Sequence, residues 1–156
     1  SEYSLWTRIA EREMLKTTAE LGVAFVAFSP LARGMLTSSP PNPASFSNRD
    51  FRKRNPRFSP ENYPKNLAAV SRFHELASEM GQDPATLAIA WVLKQARNVV
   101  AIPGTRQPEH LAACVEGSSL RLTDDDLQKI SAVFPEEFPW GARYAETQGL
   151  GVEELA

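Results

Sequence analysis

The sequence predicts an α/β fold with parallel strands and outer helices, and three observations carry that prediction. Two mainly apolar runs, Val23-Ala24-Phe25-Val26-Ala27-Phe28 and Asn98-Val99-Val100-Ala101-Ile102, have the length of strands and lack the in-out alternation of a half-exposed one. Each run ends in a turn of small residues with a cation beside it: Ser29-Pro30-Leu31-Ala32-Arg33-Gly34 after the first, Pro103-Gly104-Thr105-Arg106 after the second. Around them apolar residues recur at helical spacing, so strands and helices alternate along the chain.

Taken in order, Met14, Leu15, Thr18 and Leu21 share one face of a helix predicted over 11–21, which stops at Gly22, a residue free to take positive φ. The first strand follows. Residues 32–63 hold Pro40, Pro41, Pro43, Pro56 and Pro60 and show no period, which predicts a long loop inside the domain. Leu67, Val70, Phe73, Leu76, Ala77 and Met80 then mark a second amphipathic helix closed by Gly81. Asp83-Pro84 opens a third with an N-cap acid and an N1 proline, and its Leu87, Ile89, Ala90, Trp91 and Leu93 predict burial on nearly all sides. After the second strand, Pro108 starts a helix expected to turn Leu111, Cys114 and Val115 inward. Thr123-Asp124-Asp125-Asp126 caps the last helix, with Leu127, Ile130 and Phe134 on its inner face. The stretch from Pro135 onward has no period and is expected to wrap as an extended tail.

Bulk properties narrow the function. The 156 residues suffice for one ordinary domain, and 42% hydrophobic with 23% charged residues suits a packed core under a polar surface. A net charge of −2 offers no field for nucleic acid or an anionic membrane. Apolar stretches stay far below the ~20 residues of a bilayer span and Ser1-Glu2-Tyr3-Ser4 lacks signal-peptide anatomy, so the expected location is cytoplasmic with no membrane partner. One cysteine and two histidines make a disulfide framework or a structural metal site unexpected.

A small-residue turn with exposed N–H groups and an arginine fork suits phosphate oxygens, and two such turns at the ends of parallel strands suggest a phosphate-bearing cofactor. With two complete strands, and the end of a third at Glu2-Tyr3-Ser4-Leu5, the chain cannot close a barrel by itself.

On these residues the sequence resembles the C-terminal part of an aldo-keto reductase, a (β/α)₈-barrel family that interconverts carbonyls and alcohols with NADP(H). Ser1-Glu2-Tyr3-Ser4-Leu5 resembles the end of the sixth strand, Ala27-Phe28-Ser29-Pro30-Leu31-Ala32-Arg33-Gly34 the seventh-strand turn and Ile102-Pro103-Gly104-Thr105-Arg106 the eighth-strand turn. Gly81 through Leu93 resembles the helix between them. The segment from Asp50-Phe51-Arg52 to Pro56-Arg57-Phe58 with Glu61-Asn62 is most like members acting on aldehydes. The resemblance implies a partial (β/α)₈ TIM barrel, its C-terminal half, over residues 1–144, with a tail over 145–156.

It also implies cofactor contacts. Phe28 falls where the family sets an aromatic against the nicotinamide. Ser29, Leu31, Arg33 and Gly34 fall on the pyrophosphate loop, and Gly104, Thr105 and Arg106 at the adenosine 2′-phosphate. Where the family commonly places a basic residue or Gln and then Glu-Asn around the adenine, this chain has His110, Ala113 and Cys114. Losing two polar partners there costs roughly 1–3 kcal/mol of binding if nothing replaces them. The family's catalytic tyrosine and its lysine, aspartate and histidine belong to the first half of the barrel, so the chain alone is expected to be catalytically incomplete. Its expected partners are a small-molecule carbonyl substrate and the missing N-terminal half. Tyr3 is not that acid, and a beginning at Ser1, inside a motif and without methionine, is expected of a truncation.

Plainer roles stand beside these. Arg106 is read as a phosphate ligand over a partner of Glu109, whereas Arg33 stays open between ligand and mobile loop. Phe28 stays open between core residue and nicotinamide neighbour. For Cys114 a small helix filler is favoured, and for His110 and His74 a surface position. Arg49, Arg52, Lys53, Arg54 and Arg57 read as a solvated loop, then as a lid over the pyrophosphate. Trp91 is core; Trp140 is a packing anchor or faces substrate. A non-catalytic nucleotide-binding or interaction module is the alternative function, and a sugar-phosphate half-barrel a third.

Overall fold

A computed structural model of the chain describes residues 1–135 and 137–146. A 3₁₀ turn, Ile9–Glu11, leads into helix α1, Met14–Glu20, and then strand β1, Phe25–Phe28. After the long loop come α2, Tyr63–Glu79, α3, Pro84–Lys94, β2, Val99–Ile102, α4, Pro108–Ser119, and α5, Asp124–Ala132. The alternation expected from the sequence is present, and each strand is shorter than its apolar run.

The strands pair in parallel, Phe25 with Val99 through Phe28 with Ile102. On the other side of β1 the opening segment adds a short bridge, Glu2 to Phe28, with the Tyr3 N–H donating to the Phe28 carbonyl at 3.2 Å. This sheet is open, with parallel strands and outer helices, as in a partial (β/α)₈ barrel.

The pleat sends Phe25, Ala27 and Val99 into the helix layer, where they are buried. Val26, Phe28, Val100 and Ile102 emerge on the opposite face at 37–52% exposure. Covering on both faces was expected; only one face carries helices among the described residues. Strands apolar at every position suit burial on both faces.

Helix α3 is the centre of the core. Residues Ala85 to Val92 are all buried, and Trp91 meets the Tyr3 ring at 5.6 Å. Its N-cap works as the sequence predicts: the Asp83 carboxylate accepts from the Ala85 N–H at 2.8 Å. Thr123 and Asp126 close a reciprocal capping box on α5. Gly22 and Gly81 end their helices at φ of 65° and 66°.

Helix α4 departs from expectation. Leu111 and Val115 are exposed, while Cys114 and Gly117 face α3. A Cβ on Gly117 would lie 2.6 Å from the Thr86 carbonyl oxygen, so the two helices approach at a distance only glycine permits. The Thr86 hydroxyl donates to the Ala113 carbonyl at 3.0 Å beside this contact. His74 is half-buried against Phe73 rather than on the surface.

The long loop is built of short 3₁₀ turns, Ala32–Gly34, Pro43–Ser45, Phe51–Arg54 and Pro56–Phe58. Asn42, Asp50 and Asn55 each accept from the N–H two residues ahead and so start the last three. Such turns have no apolar period, and a search for helical or strand spacing passes over them. From Thr147 onward the expected tail lies outside the described residues.

Candidate functional site

The turn after β1 is held in an unusual conformation. Ser29, Ala32 and Arg33 have φ of 56°, 53° and 59°, and Gly34 follows at 98°. For residues with a Cβ this region is sparsely populated, and such strain concentrates where a site needs a fixed backbone shape. The bend brings Ser29, Leu31, Arg33 and Gly34 to a cavity of about 580 Å³ that Gly104, from the turn after β2, also lines. Five residues picked from the two sequence motifs therefore share one concavity at the C-terminal ends of adjacent parallel strands. The long loop supplies the remaining wall, including Arg49, Asp50, Phe51 and Arg52.

Beneath the turn lies a buried ionic cluster. The Glu2 side chain, fully buried, takes Arg33 Nη2 at 3.2 Å and Arg143 Nε at 2.8 Å. It also accepts from the Thr7 hydroxyl at 3.0 Å and the Tyr144 hydroxyl at 3.3 Å. Burial alone would raise the Glu2 carboxyl; Arg33, Arg143 and Thr7 outweigh it and hold the group below the usual carboxylate range. The Arg33 side chain is 3% exposed, and its second amino group donates to the Arg143 carbonyl at 3.1 Å, which Asn55 also meets at 2.8 Å. The residue left open in the sequence reading is thus a buried counter-ion lining the cavity, with its charge already matched.

Two further arginines leave the solvated-loop reading. Arg57 is buried, donates to the Trp6 carbonyl at 3.1 Å and the Thr7 hydroxyl at 2.8 Å, and lies over the Trp6 ring. Burial pushes its pKa down to about 9, which leaves it protonated at neutral pH. Arg52 grips Asp50 through two nitrogens, reaches the Arg33 carbonyl at 3.1 Å and lies 4.5 Å from the Phe46 ring. Arg49, Lys53 and Arg54 are exposed.

The other predicted positions do not line the cavity. The Phe28 ring is 37% exposed on the open sheet face with the Arg143 guanidinium 6.0 Å away, so it is not a core side chain. Thr105 and Arg106 are exposed beyond Gly104; Thr105 Oγ1 accepts from the Gln107 N–H at 3.2 Å, and Arg106 makes no hydrogen bond or ion pair among the described residues. His110 is exposed on α4. Cys114 is buried toward α3, and burial raises its thiol pKa. Tyr3 is wholly buried and gives its hydroxyl to Glu11 at 2.9 Å; burial, then Glu11, pushes its pKa upward. The backbone of Trp140 is bound at both N–H and carbonyl to Asn66.

Glu2, Arg143, Tyr144 and Asn66 escaped the sequence reading. A carboxylate directly before Tyr3-Ser4-Leu5-Trp6 was the available signal, since a charge heading a buried run requires a partner. Its partners lie 31 and 141 positions away, where spacing carries no information.

No helix among the described residues is long and apolar enough to cross a membrane, and no cluster there has the makings of a metal site. A model of the aldo/keto reductase family matches residues 1–134. Aldo-keto reductase str7 of Strobilurus tenacellus is 35% identical over 140 residues, which make up 90% of this chain and 42% of that protein. The chain thus spans less than half the length of this relative. Among solved structures, the glycerol dehydrogenase AKR11B4 of Gluconobacter oxydans superposes with a TM-score of 0.76 at 28% identity, over 85% of this chain and 40% of that one. A thermostable aldo-keto reductase, Tm1743, solved with the inhibitor epalrestat, superposes at 0.57 and 22% identity over 85% of this chain and 38% of its own, a likeness of fold. With the open parallel sheet and its paired turns, these matches lead to one conclusion: the chain belongs to the aldo/keto reductase family.

Proposed function

We propose that this chain forms the cofactor side of an NADP(H)-dependent aldo-keto reductase, corresponding to the barrel from the end of the sixth strand onward. The supporting observation is the single cavity formed where the two turns meet, lined by Ser29, Leu31, Arg33, Gly34 and Gly104. Its chemistry fits an anionic dinucleotide. The Gly104 position has nothing within 4 Å of where a Cβ would stand, so a ligand can approach the backbone, and cations stand in the wall and next to it.

In this reading Ser29, Leu31 and Gly34 hold the diphosphate, Gly104, Thr105 and Arg106 hold the 2′-phosphate, and Phe28 presents an aromatic face to the nicotinamide. His110 and Cys114 take the adenine positions in this reading; the thiol is buried and His110 is exposed, which favours His110 as the ligand contact. When bound, the cofactor supplies a hydride to a carbonyl carbon. The chain's own work is to orient the dinucleotide and, through the buried Glu2–Arg33 pair, to keep the strained turn in shape. The proton for the developing alkoxide comes from a group outside these residues, because Tyr3 is turned away into the helix layer. Polypeptide carrying the remaining strands completes the site around a small carbonyl substrate.

Titrating the purified chain with NADPH and NADH, followed by nicotinamide fluorescence and tryptophan quenching, tests the proposal. Saturable binding that prefers NADPH is expected. A folded chain that binds neither would overturn it in favour of a non-catalytic interaction module.

A further inference from the structure

We infer that Arg49, and not Arg33 or Arg52, is the cation that meets the cofactor's diphosphate. The inference rests on the dinucleotide reading above and assigns within it a residue that the family motifs do not mark.

Three arginines line the cavity, and the structure separates them by what their guanidinium groups already do. The Arg33 side chain is 3% exposed and faces the fully buried Glu2 carboxylate. Moving it toward a ligand would leave Glu2 short of counter-charge in a buried setting, a costly exchange. Arg52 is bound to Asp50 through Nε and Nη2 and to the Arg33 carbonyl through Nη1, and it covers the Phe46 ring. Its donors are used in fastening the loop to the turn. Arg49 is exposed, lines the same cavity and makes no hydrogen bond or ion pair among the described residues.

Its backbone is nevertheless held. Arg49 directly precedes Asp50, which caps the 3₁₀ turn Phe51–Arg54 by accepting from the Arg52 N–H at 3.0 Å. The Asp50–Arg52–Arg33 chain of contacts therefore pins this stretch of loop against the strained turn, with one unspent fork at its edge. A planar guanidinium with all donors available is the group that pairs a phosphate oxygen in two-pronged fashion. Arg106 likewise makes no hydrogen bond or ion pair among the described residues, but it follows the second turn and is not among the residues lining the cavity. Arg49 and Arg106, on separate loops, correspond to two separated anionic groups: the diphosphate common to NADH and NADPH, and the 2′-phosphate of NADPH alone.

This division of labour makes the test selective. Wild type, Arg49→Ala, Arg49→Lys and Arg106→Ala chains are titrated with NADPH and NADH, with circular dichroism to verify folding. Loss of a charge-assisted contact corresponds to about tenfold in affinity. Arg49→Ala is expected to weaken both dinucleotides by that same factor, with partial recovery in Arg49→Lys, whereas Arg106→Ala weakens NADPH alone. Unchanged affinity in Arg49→Ala, while wild type binds, overturns the Arg49 assignment and leaves the cofactor reading intact. A loss confined to NADPH in Arg49→Ala moves the residue to the 2′-phosphate and equally overturns it. Wild type that binds neither dinucleotide removes the cofactor reading and this inference with it.

Discussion

In the turn after β1, three residues with side chains hold left-handed backbone angles, and the arginine is buried against Glu2. In the turn after β2, Gly104, Thr105 and Arg106 are all exposed and the arginine has no partner among the described residues. Both segments follow an apolar strand and pair small residues with one arginine, yet one cation neutralises an internal charge and the other stands in solvent. A basic residue beside a turn is therefore a ligand candidate only when no buried carboxylate claims it. The first turn is tied into the fold through the Arg33–Glu2 pair; the second carries a local hydrogen bond between Thr105 and Gln107.

That contrast can be broken at its strongest point first. Glu2→Gln removes the carboxylate that Arg33 and Arg143 share, and removal of one member of a buried ion cluster costs about 3–5 kcal/mol. Urea unfolding at neutral pH should show that loss. The same variant carries a pH signature. The Glu2 pKa is held below its ordinary 4.5, so its stabilisation is complete above that value and drains as pH falls through the folded-state value. Between pH 6 and 3 the wild type should lose stability more steeply than Glu2→Gln; equal slopes would mean the carboxylate is not held down.

A smaller effect is expected in the helix that follows the second turn. Gly117→Ala forces a methyl to 2.6 Å from the Thr86 carbonyl, so α4 must shift on α3 at about 1–3 kcal/mol. Thermal unfolding reads that loss. Because α4 starts at Pro108, just past Arg106, NADPH affinity should fall as well, and an unchanged affinity would uncouple the second turn from the helix contact. The smallest stability effect belongs to Arg106→Ala, within about 0.5 kcal/mol as for an unpartnered surface side chain, with the whole consequence appearing in NADPH binding. A clear fall in melting temperature would place Arg106 in the structure and erase its difference from Arg33.

Local signals in the sequence account for most of the elements. The caps at Asp83 and Thr123, the stops at Gly22 and Gly81, the all-round apolar α3 and the two strands depend on hydrogen bonds and periodicities spanning a few residues, and those are written in adjacent letters. The same holds for the motif residues of the two turns, whose meeting at the cavity follows from parallel strands ending side by side. Tertiary structure decided which cations are spent. Arg33, Arg52 and Arg57 look alike in sequence to Arg49 and Arg106, and what distinguishes them is a buried Glu2, a local Asp50 and the carbonyl of Trp6. It also decided which side of each strand lies open and that α4 turns Gly117 rather than Leu111 toward α3. The physical reason is common to all of these: local propensity acts over the few residues of a turn or cap, whereas desolvated charge and close packing are settled by partners up to 141 positions away.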